Sequence, residues 1–242
     1  MQNIVRTLAL SCVALLATSC AEQYNITGDS TVSSLDGRML YLKVLTNFDH
    51  MSNLDSCEVI HGKFNFMGMM DSTCMGEIYM DNESVMPVVI ENANINIRIN
   101  DMEQRVTGGS LNNKLYRFLE QKNQIENQII ELSNKEARLI LSGGDPHRVH
   151  LRLSDKADKL YNKMEKLETD FIVDNYDNIL GSTFFMVLCG QYPYPVVTPQ
   201  IKQIMHKTSP KFHHIPFVRE YMRAAESNMR YLTPNIKENE ED

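Results

Sequence analysis

The stretch Cys57-Glu-Val-Ile-His61-Gly62-Lys63-Phe-Asn-Phe66 decides the fold, because its two apolar arms are separated by only two residues. Gly62 takes the positive φ that a two-residue turn demands, and His61 tolerates that region better than most side chains. The spacing predicts a hairpin in which Val59 pairs with Phe64, while Ile60 and Phe66 extend the arms over a buried face.

Working outward, Asp36-Gly37 signals a turn, and residues 39–45 place Leu40, Leu42 and Val44 on one face with Tyr41 and Lys43 on the other. That is the period of a half-buried strand. Residues 76–80 and 85–91 read as two more strands, the second near a sheet edge because Pro87 has no N–H to donate. Ile95, Ile97 and Ile99 alternate with Asn96 and Arg98, and Val106 follows a turn at Asn100-Asp101. Short strands at close spacing with polar turns imply an antiparallel β-sandwich or open barrel over residues 26–108.

After Gly108-Gly109 the period changes. Ser110 reads as a helix N-cap, and Leu111, Leu115, Phe118, Ile125, Ile129, Leu132 and Leu139 form one stripe, interrupted by Lys122 and Glu136. Ser142-Gly143-Gly144 breaks that helix. Asp145 caps the next, with Pro146 at its first position, and Val149, Leu153, Ala157, Leu160, Met164, Leu167 and Phe171 carry its stripe. A connection this short predicts a long antiparallel helix pair. A polar turn at 175–178, a buried apolar helix at 179–189, a rigid link at Tyr192-Pro-Tyr-Pro195, a helix from Thr198-Pro199, a turn at Ser209-Pro210 and a last helix at 215–232 complete a helical domain over 109–232. The class is α+β, with a disordered acidic tail at 233–242.

The chain of 242 residues carries 24 Lys and Arg against 31 Asp and Glu, a net charge of -7. That balance argues against a nucleic-acid partner, which needs clustered Lys and Arg on one face. Arg6 precedes a short apolar run from Leu8 to Leu16 that is too short to span a bilayer and suits a signal peptide over residues 1–19. Leu16-Ala17-Thr18-Ser19-Cys20 resembles a bacterial lipobox, with Ala17 where that family most often has leucine. The resemblance implies lipidation of Cys20, a tether over 20–25, and a place in the cell envelope, at the periplasmic face or outer membrane. Each buried methylene of an acyl anchor contributes about 0.8 kcal/mol.

Setting aside Cys12 and Cys20 leaves Cys57, Cys74 and Cys189, none in a C-x-x-C pair. Cys57 and Cys74 can be read as a bridge or as buried unpaired thiols. Met67, Met69, Met70 and Met75 lie beside Cys74 and supply soft ligands suited to Cu(I), although methionine is also a common core filler. His147 and His150 are one helical turn apart, and His213-His214 adjoin Ile215-Pro216; no Asp, Glu or Cys completes a zinc set beside them. No G-x-S-x-G, H-E-x-x-H, P-loop or dinucleotide fingerprint occurs. Tyr192 and Tyr194 read as part of a packed link, and the charged residues of the helix pair as a solvated face.

Ile26-Thr-Gly28, Asp36-Gly-Arg-Met-Leu-Tyr-Leu42, Val59-Ile-His-Gly-Lys-Phe-Asn-Phe66 with Gly68, and Val89-Ile-Glu91 together resemble an N-terminal domain of unknown function. That domain is found in Bacteroides-type thioredoxin-like disulfide oxidoreductase lipoproteins, the AhpC/TSA and TlpA-like group. Gly109-Ser-Leu-Asn-Asn-Lys-Leu115 is similar to the join between that family's sheet and its helices. The resemblance covers residues 24–230 and implies a following thioredoxin domain with W-C-x-x-C, a motif that does not occur up to Asp242. The expectation is a non-enzymatic, lipid-anchored accessory module without a cofactor, whose partner is a separate thioredoxin-fold protein. The alternatives are a thiol-disulfide helper using Cys57, Cys74 or Cys189, and an envelope Cu(I)-binding protein.

Overall fold

The turn at His61-Gly62 is real, but it joins two different sheets. The computed structural model describes residues 22–47 and 50–232. Eight strands, β1 (Glu22–Ser30), β2 (Met39–Asn47), β3 (His50–Glu58), β4 (Lys63–Met70), β5 (Cys74–Met80), β6 (Glu83–Ile90), β7 (Asn94–Ile99) and β8 (Gln104–Thr107), form two four-stranded sheets. Their orders are β4-β1-β7-β8 and β3-β2-β5-β6. The inner faces bury Ile26, Leu40, Leu42, Phe66, Ile78, Ile95 and Ile97 in one core, as a sandwich requires. The ladders are antiparallel except β1 with β7, which is parallel: β7 returns from the second sheet and pairs with the edge of β1 that β4 leaves open.

His61 and Gly62 have φ of 51° and 71°, and Ile60 and Lys63 exchange reciprocal backbone bonds of 2.9 and 3.0 Å. There the strand pairing ends. Val59 does not pair with Phe64; its N–H donates to the Arg38 carbonyl at 2.9 Å, and its carbonyl accepts from Gly37 N–H at 2.8 Å. Phe64 lies opposite Gly28 on β1, where a Cβ would sit 2.0 Å from the ring. Tyr24 covers Gly68 in the same way, with its hydroxyl 2.5 Å from a Cβ placed there. Each aromatic thus takes the volume its cross-strand glycine leaves empty. Ile60, expected on the buried face, is 59% exposed at the corner.

Two strand boundaries differ from the sequence expectation. β1 begins at Glu22 and buries Tyr24, so residues 22–25 are sheet and not tether. β3 has no apolar alternation, and its register against β2 slips between Leu42 and Lys43, leaving Leu54 as an extra residue, 38% exposed. The signal segment 1–19, Cys20 and the tail 233–242 lie outside the described residues.

The helices are α1 (Ser110–Leu141), α2 (Pro146–Asp174), α3 (Ile179–Cys189), α4 (Pro199–Lys207), α5 (Pro210–His213) and α6 (Pro216–Leu232). Asp145 caps α2 by accepting from Arg148 N–H at 2.9 Å, and Thr198 caps α4 by accepting from Ile201 N–H at 3.2 Å. α1 and α2 run antiparallel, since Lys122 meets Glu168 at 2.6 Å and Glu136 meets His150 at 3.0 Å. Lys122 and Glu168 are therefore not part of a solvated face: their side chains are only 28% and 16% exposed. Burial pulls the Lys122 ammonium down, and its bonds to Glu168 and Glu126 outweigh this and raise it.

Phe118 of α1 stacks on Phe171 of α2 at 4.0 Å, and Phe184 of α3 meets both rings edge-on at 5.0 Å. α3 is not buried all round, because Val187 is 55% exposed; its inner face places Phe185 among Phe212, Phe217 and Tyr221. The turn expected at Ser209-Pro210 continues into the short helix α5, which buries Phe212. Among the described residues no helix is long and apolar enough to cross a membrane.

Candidate functional site

A sandwich has four edge strands, and three of these edges are occupied. β3 and β4 meet on one side, where the Asp55 carboxylate of β3 accepts from Met67 N–H of β4 at 3.1 Å. β6 is covered by the start of α1. Asn112, fully buried, returns both halves of a strand's hydrogen bonding to Val89: its Oδ1 accepts from Val89 N–H at 2.9 Å, and its Nδ2 donates to the Val89 carbonyl at 2.7 Å. Two residues earlier Pro87 has no N–H, and its carbonyl accepts from the Tyr116 hydroxyl at 2.9 Å. Two residues later the Glu91 carboxylate accepts from Leu111 N–H at 3.1 Å, from Asn112 N–H at 3.0 Å and from Asn112 Nδ2 at 3.2 Å.

Glu91 is thus the helix cap, in place of Ser110. The preceding residue is Gly109, whose φ of 81° and lack of a side chain let the carboxylate lie where a Cβ would come within 2.2 Å of it. A buried anion on the first N–H groups of a helix is favourable both as a hydrogen-bond acceptor and against the helix dipole. Burial also pushes the Tyr116 phenol well above its ordinary range, so it stays a proton donor to Pro87.

β8 is the fourth edge. Beside it, α1 and the turn at 100–103 enclose an open groove of about 1210 Å³. From α1 it is lined by Asn113, Tyr116, Arg117, Leu119, Glu120, Asn123, Gln124 and Asn127, one face of the helix. From the sheet side come Met86, Pro87, Gln104, Arg105, Val106 and Thr107, with Asp101, Met102 and Glu103 of the turn. The wall mixes amides and both signs of charge with apolar side chains, so it can hydrogen-bond a polar group and pack an apolar one, and it has no excess of positive charge to attract a polyanion.

The residues singled out in the sequence lie elsewhere. Cys57, Cys74 and Cys189 are free thiols. Cys57 sits opposite Leu40, whereas the pairing of Val44 with Gly76 places Cys74 near the far end of β2; roughly 20 Å of strand separates them, so the Cys57–Cys74 bridge does not form. Burial pushes the Cys57 thiol up to about 11 and the Cys189 thiol up to about 12, and raises Cys74 as well. Met67 and Met69 point outward from β4, Met70 enters the sandwich core, Cys74 packs against that core, and Met75 packs with Leu115 and Leu180. The methionines and Cys74 therefore face three different surroundings.

Among the described residues no group of three or more His, Cys, Asp and Glu is placed to hold a metal. His147 and His150 are exposed, and His213 bonds to the Met205 carbonyl at 2.9 Å and to Thr208 at 3.1 Å. Tyr192 is half-buried in the helical core, and Tyr194 is half exposed.

Sequence reading did not find Glu91, Asn112 and Tyr116. The available signals were two: a lone acid following the apolar run of β6, and an asparagine inside the first turn of an apolar stripe. Both quoted segments, 89–91 and 109–115, lie at this contact. A DUF4369 domain is found at residues 24–116. The family model is described only as a domain of unknown function. Its match ends at Tyr116, so the DUF4369 domain comprises the sandwich from Tyr24 onward together with the first two turns of α1. No curated protein matches the chain. Among solved structures, "Trapped Toxin" is 5% identical with a TM-score of 0.20, over 37% of this chain and 24% of that one. "Crystal structure of listeriolysin O" is 9% identical with a TM-score of 0.21, over 37% and 22%. The chain spans less than a quarter of the length of either, and similarity this low carries no argument.

Proposed function

We propose that this chain is a non-enzymatic docking module of the cell envelope, held to the membrane through lipid on Cys20, whose groove between β8 and α1 receives a partner polypeptide. The observation that carries the reading is that groove, which runs beside the terminal strand β8 and along α1 and gathers the amides of Gln104, Asn113, Asn123, Gln124 and Asn127. The resemblance to the N-terminal domain of thioredoxin-like lipoproteins makes a separate thioredoxin-fold protein the expected partner. The high thiol values support a non-redox role, because a buried thiol kept protonated at neutral pH is a poor nucleophile.

The test is a photoreactive amino acid at Gln124 in cells making the full chain, with the same group at exposed Lys156 as control. A discrete polypeptide adduct at Gln124 and not at Lys156 is expected. Equal adducts at both positions, or none, overturn the docking reading. Metabolic labelling with palmitate should mark the wild type and not Cys20→Ala; absence of label on the wild type overturns the anchor. Reduction of insulin by the purified protein well above background would remove the non-enzymatic assignment.

A further inference from the structure

We infer that the sandwich lies directly on the membrane surface, with Met67 and Met69 of the first sheet's outer face entering the lipid interface and the turn at 100–103 directed away from it. This rests on the lipid-anchor reading and adds an orientation to it. Only Ala21 separates Cys20 from Glu22, where β1 begins, and two residues of chain span at most about 7 Å. The stretch expected as a tether is sheet, with Gln23 opposite Met69 and Asn25 opposite Met67. Acyl chains on Cys20 therefore leave no slack, and the end of the sandwich at which β1 starts is held against the headgroups.

The outer face of the first sheet changes character along the strands away from that end. Side chains two apart on a strand share a face, so the register defines successive cross-strand rows. Met69 with Gln23, then Met67 with Asn25 and Asn94, carry no charge. Met67 is 66% and Met69 62% exposed. The third row is Asn65, Thr27, Asn96 and Thr107; Thr27 Oγ1 donates to Asn96 Oδ1 at 2.9 Å, and Asn65 Nδ2 donates back to Asn25 Oδ1 at 3.1 Å. The fourth row, Lys63, Asp29, Arg98 and Arg105, is charged throughout.

The face thus passes from thioether through amide and hydroxyl to full charge over about 20 Å of strand. That is the order of polarity met on leaving a bilayer, from the acyl boundary through the headgroups to water. On the second sheet Leu45, one residue beyond the Val44–Gly76 pair and so beside the start of β5, is 39% exposed. It adds an apolar side chain on the other side of the same end. Glu22 and Asp71, the charged residues flanking Met70 in register and in sequence, are both acidic and exposed, which suits zwitterionic and not anionic lipid.

The chain contains no tryptophan, so Met69→Trp and Met102→Trp each give a single fluorescent reporter, the first at this end and the second on the far turn, where Met102 is 95% exposed. The full lipidated chain carrying either substitution is reconstituted into phosphatidylcholine vesicles with and without brominated acyl chains. Bromine should lower the Met69→Trp signal roughly twofold and leave Met102→Trp unchanged. Tryptophan has its own affinity for the interface, so the wild-type side chains are read separately, by mass spectrometry after treatment with a charged, membrane-impermeant oxidant. In water the exposures of Met67, Met69 and Met102 put their oxidation rates within about twofold of one another; on the vesicles Met67 and Met69 should react several-fold more slowly than Met102. Equal quenching at the two reporter sites, or equal oxidation of the three methionines, in protein shown to carry the palmitate label overturns the orientation and leaves the anchor standing. A wild type without that label removes the anchor, and the orientation with it.

Discussion

Replacing Glu91 is the most informative single perturbation, because one buried carboxylate serves as helix cap, as dipole partner and as the link between sheet and helix. It accepts three donors, Leu111 N–H, Asn112 N–H and Asn112 Nδ2, at 3.0 to 3.2 Å, and the residue is 8% exposed. Hydrogen bonds to a charged group contribute about 1.5–3 kcal/mol each when taken singly, and a lost N-cap costs about 1 kcal/mol. The three share one side chain and do not add, so Glu91→Ala is expected to cost about 3–4 kcal/mol. Glu91→Gln keeps one acceptor oxygen, turns an NH2 toward backbone donors, and should cost about 2 kcal/mol. Urea unfolding followed by circular dichroism measures both, the signal being dominated by the helices. Gly109 provides the cross-check. Gly109→Ala in the wild type displaces the carboxylate as well as straining a backbone at φ 81° and ψ 146°; in Glu91→Ala only the strain remains, so the two costs should be sub-additive by at least about 1 kcal/mol. If both Glu91 variants stay within about 0.5 kcal/mol of the wild type, or the two sites add, the linking role assigned to this carboxylate is wrong.

Gly28→Ala drives a Cβ into the Phe64 ring and should cost about 2–3 kcal/mol by denaturant unfolding, with Phe64→Leu restoring part of it. Lys122 has a raised folded value, so its pairing with Glu168 stabilises the fold fully below the ordinary lysine value near 10.5 and is lost as pH climbs through the higher folded value; Lys122→Met should flatten the stability curve in that range. Cys57 rises from 9.0 to about 11, so the unfolded chain releases that proton first and stability should fall between those two values; Cys57→Ala should remove its share of the slope. At pH 8 alkylation of Cys57 and Cys189 in the native protein should be much slower than in urea, and equal rates would contradict their burial.

Alternation made the strands around Leu40, Leu42 and Val44 and around Ile95, Ile97 and Ile99 legible, because each has one face in the core and an uninterrupted register. β3 was illegible for the opposite reason: it is a polar edge strand whose register slips at Leu54, so no period survives. The helix pair was readable from Asp145-Pro146 and two apolar stripes. Its entry point was not, since the cap on α1 comes from Glu91 some twenty residues upstream, and a local rule looked to Ser110. The hairpin reading failed in an instructive way. His61-Gly62 fixes the turn, yet a turn says nothing about which strand lies across the next bond, and the pairs Phe64 on Gly28 and Tyr24 on Gly68 seat β4 against β1. The groove lies between a strand and a helix face, and the period of either element alone does not show which side chains the two bring together.

The way α1 stands in for a strand sets where this chain can be divided. A cut after residue 108 would separate the sheet from the turns that finish its β6 edge and would leave that edge open to self-pairing. A cut after Tyr116 would keep every bond described between β6 and the helix. The portable part of the molecule is therefore eight strands plus seven residues of helix, and a gene that exchanges the downstream helices for another segment must splice beyond that tyrosine.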